Sequence, residues 1–109
     1  MRPLVIAATL LSLSACTEIE QAADNTGRQV AKGAVAEALA TRFPQVPKEL
    51  LTPFTDCVID NAAALEVREF ARAAVVGVDD AMIGTIRNIL ARPETQQCLS
   101  QRAAAKGIF

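Results

Sequence analysis

Apolar positions recur at helical spacing over most of the chain, and no segment alternates as a strand requires. From Arg28 to Phe43 good helix formers dominate apart from Gly33. Val30, Ala31, Ala34, Ala38 and Leu39 share a broad face, which predicts a first helix. Pro44, Pro47 and Pro53 then break the pattern and leave room for at most one turn around Lys48 to Leu51. Thr52 before Pro53 reads as an N-cap with proline in the first helical position. The second helix places Phe54, Cys57, Val58, Asn61 and Ala62 on one side, with Thr55, Asp56 and Asp60 off it.

A further register sets Ala63, Val67, Phe70, Ala71 and Ala74 against Glu66, Arg68, Glu69 and Arg72. Leu65 falls among the charges, which points to a break near residues 62–64 or to one helix that shifts its buried face. Val76-Gly77-Val78 reads as a turn, and Asp79 as the N-cap of a helix whose Met82, Ile83, Ile86, Ile89 and Leu90 form the clearest amphipathic stripe in the chain. That stripe is the expected centre of the core. Arg92-Pro93 ends this helix and opens the next, on which Cys98 and Leu99 should face inward. Gly107 suits a left-handed C′ position and Ile108 its accompanying apolar contact. The expectation is an all-α fold, a small bundle of four or five short helices over residues 28–109, with a core that includes Phe54, Val58, Val67, Phe70 and Leu99 besides the stripe.

The first fifteen residues follow another logic. Arg2 supplies a short positive start, and Pro3 to Leu13 run apolar with only Thr9 and Ser12 interrupting, too short a stretch to cross a bilayer. Leu13-Ser14-Ala15-Cys16 comes next, and it resembles the lipobox of bacterial lipoproteins. The resemblance implies a signal peptide over 1–15, cleavage between Ala15 and Cys16, a diacylglycerol thioether on Cys16 and acylation of the new amine. It covers the signal and one mature residue. Residues 16–27 then read as lipid anchor and tether, or as the frayed start of a helix. Competing readings are ordinary signal cleavage at Ser12-Leu13-Ser14 and a buried helix over residues 3–15. Two or three acyl chains, at about 0.8 kcal/mol per buried CH₂, hold a protein on a membrane essentially permanently. Thr17 in place of Asp after the cysteine implies, again by resemblance, the outer membrane facing the periplasm in a diderm organism.

Three cysteines make an odd number, and lipidation of Cys16 removes the oddness. Cys57 and Cys98 are then expected to form one disulfide in an oxidising compartment, worth about 4 kcal/mol by the chain-entropy argument. Two buried free thiols or a metal site are the alternatives, the latter disfavoured by the lack of histidine.

Composition narrows the chemistry. The chain has 109 residues, 51% hydrophobic but only 4% aromatic, so one modest core of Ala, Val, Ile, Leu and Phe is all it can build. Eleven basic and twelve acidic residues are spread evenly, which leaves no basic stripe for nucleic acid. The absence of His removes the commonest general base and zinc ligand. Asp56 and Asp60 sit one turn apart and read as a solvated face, and Asp79-Asp80 as a cap. Cys57 and Cys98 lack the Cys-x-x-Cys spacing of redox centres. No catalytic residue, cofactor or metal is therefore expected. The expected role is a membrane-anchored structural or protein-interaction module with an envelope protein as partner. The alternatives are a carrier of a small apolar ligand between the helices and an enzyme, which would need Asp56, Asp60, Glu66 or Glu69 to converge in a cleft.

Overall fold

A computed structural model describes residues 25–107. The signal, Ala15, Cys16, most of the tether and Ile108 lie outside the described residues. The chain forms α1 over residues 25–42, a 3₁₀ turn at Lys48–Leu50, α2 at Leu51–Asp60, α3 at Ala64–Val76, α4 at Asp80–Leu90 and α5 at Pro93–Ala105. No strand occurs among the described residues. The fold is the all-α bundle that the periodicity predicts, with one disulfide joining Cys57 to Cys98.

The chain is already helical at residue 25, so the end of the expected tether belongs to α1. Ala31, Ala34, Val35, Ala38 and Leu39 bury its inner face at i, i+3, i+4, i+7 and i+8. Val30, read as part of that face, lies at its edge and is 41% exposed; Val35 takes its place. Phe43 and Pro44 close the helix, since a residue before proline avoids the helical region.

Thr52 is not the N-cap. The 3₁₀ turn runs straight into α2, whose N-cap is Leu50, and Leu51 donates its backbone N–H to the Lys48 carbonyl. Thr52 and Pro53 thus occupy the second and third helical positions, where a missing N–H breaks no intrahelical bond. Thr55, expected off the buried face, is buried as well: its hydroxyl donates to the Leu51 carbonyl at 2.7 Å, so its polar atom is satisfied within the helix. The chain breaks over residues 61–63, and Leu65 points outward in the first turn of α3. Phe70 and Ala73 are the buried residues of α3, while Ala74 is exposed.

Gly77 turns the chain into α4 with φ +101°, a conformation that strains any L side chain. Asp79 caps α4 by accepting from the Met82 N–H at 2.8 Å. Met82, Ile83, Ile86 and Ile89 are buried and meet the α1 face, Val58, Ile59 and Phe70 in one apolar cluster. Phe54, Val67 and Leu90, expected in the core, are half-buried at its margin. Each fully buried large side chain contributes about 1.5–3 kcal/mol. The stripe on α4 is therefore only part of the core; α1 supplies the facing wall, and Val58, Ile59 and Phe70 complete it.

α5 stands apart. Pro93 occupies its first turn behind an extended Arg92, and Gly107 follows it at φ +73°. Its buried residues are Thr95 and Ala103 alone, and none of its residues joins the apolar cluster. Leu99, placed in the core from the sequence, is half-buried outside that cluster.

Candidate functional site

The charged residues that looked like ordinary solvated surface form an organised seam. α1 and α2 are antiparallel neighbours, and each carries two charges one turn apart. Arg28 meets Asp60 at 3.1 Å and Lys32 meets Asp56 at 3.2 Å. Arg102 of α5 reaches both carboxylates, Asp56 at 3.3 Å and Asp60 at 3.2 Å. Three cations thus enclose two anions along the line where three helices meet. The members are a quarter to nearly half exposed, so each pair is worth little alone; together they favour one register of α1, α2 and α5.

A second ionic joint sits where α5 begins. Arg92 donates both guanidinium branches to Glu66, at 2.9 Å each, and Nη1 also donates to the Asn61 carbonyl at 2.8 Å. Glu66 in turn accepts from the Ala63 N–H at 2.8 Å, closing the first turn of α3. The hydrogen bonds from Arg92 hold the Glu66 carboxyl below its ordinary value, partial burial working the other way, and the same pairing raises Arg92. At the opposite end of the bundle Arg42 pairs with Asp80, and the Arg87 guanidinium lies over the Phe43 ring, 5.8 Å from its centre.

Beside the seam an open groove of about 380 Å³ runs between the start of α1 and α3. Gly27 and Arg28 form one wall, Val67, Arg68 and Ala71 the other, with Ala62 and Ala64 at its end. Arg68 adds a cation to this open groove, while Arg28 is engaged by Asp60. The outer face of α3 carries further exposed apolar residues, Leu65 at 69%, Val76 at 68% and Val75 at 85%.

Asp56 and Asp60 lie together but are engaged by Arg28, Lys32 and Arg102, and Glu66 belongs to the separate joint at Arg92. Among the described residues no group of three His, Cys, Asp or Glu side chains gathers as a metal would need. Cys57 is fully buried and Cys98 half-buried, with their Cα atoms 5.8 Å apart. The seam was missed in the sequence although its signal was present: two charge pairs of opposite sign, each spaced by four, on helices separated by a proline-rich turn. No helix among the described residues is long and apolar enough to cross a membrane. No known protein family, curated protein or solved structure matches the chain.

Proposed function

We propose that this chain is a bacterial envelope lipoprotein, held on the membrane through Cys16, whose helical domain is a structural or protein-interaction module. The observation that carries the reading is the sorting of its three cysteines. Cys57 and Cys98 are bonded to each other, and the third stands alone in Leu13-Ser14-Ala15-Cys16 behind an apolar run. A bonded pair fits an oxidising compartment, and a lipobox-like site fits export to it. The adjacent exposed Val75 and Val76 at the end of α3 support a protein partner, as neighbouring apolar residues left open to water mark contact surfaces more often than isolated ones do. With Thr17 after the cysteine, the outer membrane facing the periplasm is the proposed address in a diderm host.

Intact mass of the membrane-extracted protein, with and without reductant, tests this directly. The expected species begins at Cys16, carries acyl chains and gains two hydrogens on reduction. A chain that begins at Met1 without acylation overturns the proposal, as does a Cys16→Ala variant that stays in the membrane fraction.

A second reading has its own observation. The groove between α1 and α3, about 380 Å³ and lined by Ala62, Ala64, Val67 and Ala71 with Arg68 beside them, lies within the size range of small-molecule sites and suits an amphiphile with an anionic head. Lipid that copurifies with the wild type and is lost from an Ala71→Glu variant supports a carrier. Protein free of bound lipid in both preparations removes it.

A further inference from the structure

We infer that α5 is a redox-controlled latch: reduction of the Cys57–Cys98 bond releases this helix from a domain whose remaining four helices stay folded. The inference does not depend on whether Cys16 is acylated.

The apolar cluster is complete without α5. Its fully buried large side chains come from α1, α2, α3 and α4, and the buried residues of α5 are a single alanine and a threonine. That threonine weakens the attachment further, since the Thr95 hydroxyl is buried without a hydrogen-bond partner. The end of α5 meets the start of α2 with an open seam rather than a filled one. A groove of about 230 Å³ opens between them, bordered by Pro53 and Asp56 on one side and Arg102 and Ala105 on the other.

What holds α5 is of a different kind. The disulfide fixes its middle to α2, Arg92 ties its start to Glu66 and Asn61, and Arg102 ties its end to Asp56 and Asp60. The arginine contacts are partly exposed and individually weak. Beside these, α5 packs along α2 and against the end of α4, burying only the small side chains of Thr95 and Ala103, so the disulfide is its strongest single restraint. Its release bares Pro53 and Cys57 on α2 and leaves Asp56 and Asp60 to Lys32 and Arg28 alone.

The reaction is thiol–disulfide exchange with a dithiol reductant. A thiolate of the dithiol attacks Cys98 Sγ, since Cys57 is fully buried, and forms a mixed disulfide while Cys57 leaves as a thiolate. The second thiol of the reductant attacks its own sulfur in that mixed bond and displaces Cys98. Two electrons pass to the protein, the dithiol becomes a disulfide, and its two protons end on Cys57 and Cys98. Oxidation reverses each step.

Hydrogen exchange of the full chain, read by mass spectrometry with and without a phosphine reductant, tests the latch. In the reduced protein α5 amides should lose protection by at least about tenfold, while those around Leu39 and Ile86 change by less than about threefold. A Cys57→Ser, Cys98→Ser double variant should show the same split without reductant. Retained protection in α5 overturns the inference, because its weak contacts then suffice. Simultaneous loss across all five helices overturns it equally, since the bond would then hold up the whole fold.

Discussion

α4 and α5 follow one another across a single proline junction, are nearly equal in length, and are held in place by opposite means. α4 sinks four large apolar side chains into the core and begins on the Asp79 cap. α5 adds nothing to that cluster, begins at Arg92 without a side-chain cap, and rests on one disulfide, two arginines and a contact with α2 that buries only Thr95 and Ala103. A small domain can therefore extend its packed body with a helix that has little apolar face, provided covalent and ionic restraints replace it. The two helices should answer to different perturbations: α4 to changes of volume, α5 to redox state, salt and pH.

The largest effect should follow a cut into α4. Ile86 is fully buried at the middle of the stripe, and Ile86→Ala should cost about 3 kcal/mol, read as a lower urea midpoint of the oxidised protein. Leu99→Ala on α5 removes a similar volume from a half-buried site outside the cluster and should cost less than about 1 kcal/mol. Equal losses at the two positions would break the comparison, since α5 would then belong to the core. Next in size is the cap. Asp79→Ala leaves the Met82 N–H without its side-chain acceptor and should cost about 1 kcal/mol, with Asp79→Ser recovering most of it.

Thr95 reverses the sign. Its hydroxyl is fully buried and unpaired, and valine keeps the branched shape without the polar atom. Thr95→Val should therefore stabilise the protein by roughly 0.5–1 kcal/mol and slow hydrogen exchange in α5. A loss of stability instead would mean that the hydroxyl has a partner, an ordered water in the α5 contact.

This contrast was half visible in the sequence. The α4 stripe, the Asp79 cap, the turn at Gly77 and the Arg92-Pro93 boundary all depend on neighbours within a few residues, and each was legible for that reason. Cysteine counting gave the pairing of Cys57 with Cys98 because few combinations existed. The weight of α1 was harder to see: its face is mostly alanine, and only its docking against α4 turns Val35 and Leu39 into core. Thr52 was misread because a cap pattern cannot reveal that a 3₁₀ turn runs into the helix ahead of it. Leu99 was placed inside because periodicity can say which face of α5 is apolar, and nothing in it says whether a core lies opposite. The seam of Arg28, Lys32, Asp56, Asp60 and Arg102 needed the antiparallel arrangement of α1 and α2, which is a tertiary fact.

The smallest effect concerns pH and separates the ionic attachment of α5 from the apolar attachment of α4. Glu66 accepts two hydrogen bonds from Arg92 and one from the Ala63 N–H, and its carboxyl titrates below the ordinary 4.5 in consequence. In the unfolded chain it returns to the ordinary value. A folded value below the unfolded one means that the stabilisation is fully present above about 4.5 and is lost as pH falls through the lower, folded value. The joint is partly exposed, so the loss should stay below about 1 kcal/mol. Urea midpoints of the wild type and Glu66→Gln, compared between about pH 6 and about pH 3, should differ most at the upper end and converge toward the lower. Glutamine keeps an acceptor for Ala63 but removes the charge and one of the two oxygens that accept from Arg92, so the converging part reports the carboxylate with Arg92. Two curves that run parallel would show that Glu66 does not bind Arg92 as an anion, and the start of α5 would then owe its position to Pro93 and the Asn61 carbonyl.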